Sequence, residues 1–177
     1  RDVPDRSQFG PPVPRPGQIL AAGMNYPATA GIVAAGARRA PGFPETFMKS
    51  PQALTGPYGT IEIPSDTVDH EVELVAVIGK ATDRDVTPET AMQHVAGFMV
   101  GQDVSDRALQ SIDPPALSIA KSFPTFAPTG PWFVTPDELG DLTGLAITCS
   151  VNGEERQRST LGSMLRSVPE IVALYSA

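Results

Sequence analysis

Cysteine is almost missing from these 177 residues: Cys149 stands alone and cannot close an internal disulfide. That excludes a disulfide-stapled scaffold and makes a reducing cytoplasm the simplest home. No uninterrupted apolar run approaches the ~20 residues that a membrane-spanning helix needs. The first residues, Arg1-Asp2-Val3-Pro4, lack the apolar stretch of a signal peptide. Positive charge is scarce too: 13 Lys and Arg against 20 Asp and Glu leave a net charge of −7. Arg38-Arg39 is the only adjacent basic pair, without aromatic residues interleaved, so binding to nucleic-acid phosphates is disfavoured. Histidine occurs only at positions 70 and 94. Charged residues make up 19% and apolar residues 41%, a balance that supports a packed core rather than a disordered polyelectrolyte.

What the sequence has in excess is turn formers, 19 Pro and 16 Gly with no periodic repeat. That points to many short strands joined by turns, with a few short helices, rather than a bundle. Residues 1–17, with five prolines, read as an extended arm without helix. Ile19–Ala22 reads as a buried strand, and 27–43 as a weak helix or loop. Phe47-Met48-Lys49 reads as a further strand, and 51–68 as a run of turns. The spacing predicts one continuous strand over Val68–Ile78. Thr87-Pro88 starts a helix that Gly97 should end, with a strand from Phe98. Residues 104–121 should hold a short helix and a break at Pro114-Pro115. Strands are expected at 130–135 and Ala146–Val151, the latter turning at Asn152-Gly153. Residues 159–175 read as helical, capped at Ser167. The stretch Ile171–Tyr175 finds no later segment to pack on, so both ends are expected to be cut.

Chemistry concentrates in three places. Glu71 and Glu73 are two apart, which on a strand puts both carboxylates on one face with Cα atoms ~7 Å apart. Such a pair either repels until a hard divalent cation neutralises it, or simply faces water. Asp103, after Phe98-Met99-Val100, can cap the following helix or serve a site; Arg107 and Gln110 fall four and seven residues beyond. Lys121 is a lone lysine after the Pro-Pro break, an ordinary solvated residue or a site cation. His70, beside Glu71, should point to the opposite face.

Five strings then occur together in order. They are Gly23-Met24-Asn25-Tyr26, Val68–Leu74 (VDHEVEL), Gly101–Gln110 (GQDVSDRALQ), Lys121–Trp132 (KSFPTFAPTGPW) and Val151-Asn152-Gly153-Glu154. This combination resembles the fumarylacetoacetate hydrolase family from about Pro11 onward. The resemblance implies an α+β, strand-rich mixed β-roll of the fumarylacetoacetase C-terminal-domain type with short peripheral helices. It divides the chain into an arm, 1–17, and a catalytic domain, 18–177, that is C-terminally incomplete, lacking the family's closing Gly-Thr-Pro segment. It implies a homodimer binding Mg²⁺ or Mn²⁺, with Ca²⁺ a third candidate, through Glu71, Glu73 and Asp103. The partners it implies are a small-molecule substrate, with no nucleic acid and no membrane.

Carried over by motif, Lys121 would stabilise a developing enolate, Arg107 and Gln110 would touch the substrate or hold the site, and Tyr26 would line the pocket. The implied substrate is a small 2-oxo acid or 1,3-dicarbonyl of the acylpyruvate kind, cleaved by C–C hydrolysis. Decarboxylation, tautomerisation and a weakened ligand-binding homologue are the alternatives. They arise because Thr29 and Ile32 stand where many relatives have a His/Glu dyad. Asp106 and Ala108 stand where the family commonly has Ala and Asp.

Overall fold

Strand β1 (Ile19–Gly23) pairs with β2 (Glu45–Lys49) in a computed structural model that describes residues 5–27 and 43–177. The remaining strands are β3 (Leu54–Thr55), β4 (Val68–Asp69), β5 (Val72–Ile78), β6 (Val95–Gln102), β7 (Ser105–Asp106), β8 (Ala127–Pro128), β9 (Ala146–Val151) and β10 (Glu154–Thr160). Pairing is mixed: β3 lies parallel to β8, while β4 is antiparallel to β7 and β9 to β10; β5 pairs with β6. Helices are short: α1 (Pro88–Ala91), α2 (Arg107–Gln110), α3 (Leu117–Ala120), α4 (Pro136–Leu139) and α5 (Val168–Ser176). Among the described residues, no helix is long and apolar enough to cross a membrane.

The chain divides into two units. One takes in the described part of Arg1–Leu20 with Phe47–Val75 and Met99–Phe133. Its core is Ala53, Val104, Phe126 and Ala127, with Leu54, Ile61, Val68 and Phe123 packed against them. The N-terminal residues seat here: a Cβ on Gly56 would stand 2.1 Å from the Phe9 carbonyl oxygen, so only glycine admits the arm. The other unit takes in the described part of Ala21–Thr46 with Ala76–Phe98 and Val134–Ala177. In it α1 packs against α5, whose buried face is Val168 and Val172.

Local chemistry explains most elements. The β9–β10 hairpin turns at Asn152 and Gly153, with φ of 53° and 81°, the left-handed pair that Asn-Gly accommodates. Both α1 and α5 open with a capping box, Thr87 with Thr90 and Ser167 with Glu170.

Several expectations need correction. The predicted strand 68–78 is interrupted at His70 and Glu71. Its first half pairs with β7 and its second with β6, and between them the Asp103 N–H donates to the Glu71 carbonyl at 2.8 Å. Gly97 does not end a helix: α1 stops at Ala91, a 3₁₀ turn runs Met92–His94, and β6 already contains Gly97. Residues 130–135 form no strand. Gly130 has φ +113° and Pro131 has no N–H, so only a bridge between Val134 and Phe98 survives. The segment before Ser167 is β10 and a 3₁₀ turn, Leu161–Ser163, not helix. In the arm, Asp5 caps a 3₁₀ turn over Arg6–Gln8. The weak helix or loop expected at 27–43, and Thr29 and Ile32 within it, lie outside the described residues apart from the ends of that range.

Candidate active site

Strand β2 buries every second side chain, Phe47 and Lys49, and turns Met48 outward. A lysine on the buried face of a strand needs a counter-charge, and Lys49 Nζ finds Asp103 Oδ1 at 2.6 Å and the Val104 carbonyl at 3.3 Å. Burial pulls the Lys49 pKa below its ordinary value, Asp103 opposes that, and the Lys121 charge adds to it.

Lys121 follows the last residue of α3, and its Nζ reaches three acceptors. It stands 2.5 Å from Asp103 Oδ2, 2.8 Å from Glu71 Oε2 and 2.7 Å from Ser105 Oγ, and 4.8 Å from the centre of the Phe47 ring. An ammonium has three N–H donors, so all are used here. Asp103 therefore lies between two buried lysines, one at each oxygen. It does not cap the next helix: Asp106 does, accepting from the N–H groups of Ala108 and Leu109. Asp106 also accepts from Ser65 Oγ at 2.8 Å and Thr67 Oγ1 at 2.7 Å, and those hydroxyls hold its carboxyl below the usual range.

Arg107 opens α2. Its Nη1 donates to Glu71 Oε1 at 2.5 Å and Gln110 Oε1 at 2.9 Å; its Nε and Nη2 donate to Asp69 Oδ2 at 3.1 and 2.8 Å. Burial alone would lower the guanidinium pKa, but the Glu71 and Asp69 carboxylates outweigh it and raise it. Glu73, the second residue of β5, is pushed up to about 8, by burial first and then by the charges of Glu71 and Asp103. The charges of Glu71 and Asp103 thus both act on Glu73.

Among the described residues no three carboxyl or imidazole groups gather closely enough to ligate one ion as they stand. Lys121 holds an oxygen of Glu71 and one of Asp103. The donor set nevertheless fits a hard divalent cation: three carboxyl groups, one raised to about 8 by burial first and then by the charges of the other two, and a cation among them would offset those charges.

Six of the seven expected site residues belong to one unit, and five of these, with Lys49, Asp69 and Ser105, form one hydrogen-bonded cluster that Glu73 joins through its field. Tyr26 lies in the other unit, in the turn after β1. There the Asn25 side chain accepts from the Arg166 N–H at 2.9 Å and donates to its carbonyl at 2.8 Å. His70 Nδ1 is 3.2 Å from Asp69 Oδ1, and His94 Nδ1 is 2.8 Å from the Ala81 carbonyl. Sequence reading missed Lys49 and Asp69. The signal for Lys49 was its alternation with Phe47.

A model described as fumarylacetoacetate (FAA) hydrolase C-terminal matches residues 18–177. The chain is 37% identical over 175 residues, 97% of its length, to the mitochondrial oxaloacetate tautomerase of Rattus norvegicus, of which it covers 55%. It is 36% identical over 98% of its length to the 2,4-didehydro-3-deoxy-L-rhamnonate hydrolase of a Sphingomonas strain, covering 60% of that protein. It therefore spans between half and two thirds of these relatives. Among solved structures, the fumarylacetoacetate hydrolase of Exiguobacterium antarcticum superposes with a TM-score of 0.80 at 33% identity, over 94% of this chain and 59% of that one. The maleylpyruvate hydrolase of Sphingobium sp. SYK-6, in complex with manganese(II) and pyruvate, superposes with a TM-score of 0.77 at 29% identity, over 94% and 56%.

Proposed function

The chain belongs to the fumarylacetoacetate hydrolase family, and from that premise we propose that it acts on a small 2-oxo acid or 1,3-dicarbonyl compound by C–C bond hydrolysis through a stabilised enolate. The observation that carries this reading is the buried Lys121 ammonium shared by Glu71, Asp103 and Ser105. The α+β fold of this family supplies the frame, with residues 18–177 as the catalytic part and 1–17 as an arm.

Glu71, Glu73 and Asp103 would hold a divalent cation, Mg²⁺ or Mn²⁺, which when bound supplies Lewis-acid polarisation of the substrate's oxo group. The maleylpyruvate hydrolase structure in complex with manganese(II) and pyruvate supports a divalent cation and an oxo acid as ligands. Lys121 places a desolvated positive charge beside those carboxylates. With its three N–H groups held by the protein, this ammonium acts through its field, stabilising negative charge that develops on the substrate oxygen. Lys49 holds the other oxygen of Asp103, so that carboxylate keeps one orientation as charge builds. Gln110 offers its amide to the substrate.

A second reading, keto–enol tautomerisation, is favoured by one observation. Thr29 and Ile32 occupy the dyad positions, and neither takes up a proton at neutral pH, so activation of water lacks its usual base. The test is turnover of acylpyruvate and of enol-oxaloacetate by the full chain with Mn²⁺. Acetate and pyruvate release supports hydrolysis; decay of the enol absorbance without carbon–carbon cleavage supports tautomerisation. Silence with both substrates overturns the proposal.

A further inference from the structure

A guanidinium has five N–H donors in a fixed plane. In Arg107 four of them are committed within the protein: Nε and Nη2 to Asp69 Oδ2, and both hydrogens of Nη1 to Glu71 and Gln110. Among the described residues only one N–H, on Nη2, is left without an acceptor. An arginine clamping a substrate carboxylate does so with two parallel N–H groups. Arg107 has no such pair to offer while Asp69 holds it.

Asp69 is itself pinned. Its Oδ1 accepts from the His70 backbone N–H at 2.9 Å and lies 3.2 Å from His70 Nδ1, while Oδ2 takes both Arg107 contacts. Its backbone is paired with Ser105 in the β4–β7 ladder, and the Arg107 N–H donates to the Thr67 carbonyl at 3.0 Å. Both ends of the ion pair are therefore fixed by the backbone, and side-chain exposures of 46% for Asp69 and 39% for Arg107 leave it partly wet.

The consequence falls on Gln110. Arginine only donates, so the atom of the Gln110 amide that meets Nη1 must be the carbonyl oxygen. The amide nitrogen is then turned away from Arg107, and among the described residues both its hydrogens are available. A freely rotating glutamine would meet a hydroxyl or a carbonyl equally well; this one presents donors only.

We propose that Asp69 is a positioning residue of the site: by locking Arg107 it fixes the Gln110 amide as a pure donor, so that the ligand atom opposite must be an acceptor, a carboxylate or enolate oxygen. Arg107 on this account is a bridge between Asp69, Glu71 and Gln110 rather than a carboxylate clamp. The proposal rests on the reading that this cluster handles an oxo acid, and it deepens that reading by assigning which groups can face the substrate.

Asp69→Asn tests it, because Asn keeps the shape and withdraws the charge, with Asp69→Glu as the second variant should Asp69→Asn fail to fold. In the full chain, the Arg107 Nε–H and Gln110 amide resonances of nitrogen-15-labelled protein give a readout independent of turnover. Wild type should show a slowly exchanging Nε–H; in the variant its exchange should speed up at least tenfold and the two Gln110 amide proton shifts should move to those of a solvent-exposed glutamine. With a turned-over oxo acid, kcat/KM should fall at least tenfold in Asp69→Asn and recover in part in Asp69→Glu, with unchanged backbone amide shifts outside β4 and α2. Unaltered Arg107 and Gln110 resonances overturn the proposal, as does an altered pair of resonances with full kcat/KM. If wild type turns over no oxo acid, the functional reading fails and the resonances alone decide the role of Asp69.

Discussion

Lys121 Nζ stands 2.5 Å from Asp103 Oδ2, and the two side chains keep only 3% and 9% of their surface exposed. Eighteen positions separate them in sequence, and α3 and the end of β6 bring them together. Lys49 approaches the other oxygen of the same carboxylate from β2, so Asp103 is the junction of a buried cluster built from three parts of the chain.

Replacing Lys121 by Met keeps the aliphatic stem and removes the ammonium. Breaking a buried ion pair by removing one partner costs about 3–5 kcal/mol, and Lys49 still neutralises Asp103, so the loss should fall at the low end. Turnover of an oxo acid should drop by about 10²–10³, the scale of losing one preorganised charge beside the reacting atoms. Urea denaturation and steady-state kinetics on the same preparation measure the two effects.

Glu73 gives the cation-free protein a pH signature. Its folded pKa of about 8 lies above the ordinary 4.5 of the unfolded chain, so the folded state holds a proton that the unfolded state has lost between those values. Stability from this group is complete below pH 4.5 and disappears as pH rises toward 8. Chelator-treated protein should lose denaturation midpoint across that window. Glu73→Gln, neutral at every pH, should remove this part of the slope, which midpoints read at pH 5, 6.5 and 8 will show.

Asp106 is nearly fully buried, with 4% exposure, and serves four donors: the hydroxyls of Ser65 and Thr67 and the first free N–H groups of α2. Asp106→Ala should cost about 2 kcal/mol through the lost cap. The orphaned hydroxyls add to this, and chemical denaturation checks the total. Because Arg107 follows directly, the same variant should weaken the Arg107–Glu71 contact.

Much of this was legible in the sequence, for physical reasons that differ by element. The hairpin at Asn152-Gly153 and the helix starts at Thr87 and Ser167 depend on neighbouring residues alone, so local chemistry decides them. Glu71, Glu73, Asp103, Arg107, Gln110 and Lys121 were found through their motifs, and the structure brings them into one unit. What stayed hidden depends on pairing at a distance. The break at His70-Glu71 exists because β4 and β5 take different neighbours. Lys49 read only as part of a strand, since its partner Asp103 lies 54 residues away. Asp69 carried no visible role, because its partner Arg107 is 38 residues distant.

The central claim is that Glu71, Glu73 and Asp103 form a divalent-cation site beside Lys121. Calorimetric titration of the full chain with Mn²⁺, repeated on Glu73→Ala, tests it most directly. The account predicts one site in the wild-type chain and at least a tenfold loss of affinity in the variant, in line with the removal of a ligand oxygen. Equal Mn²⁺ affinity in the two proteins would contradict it.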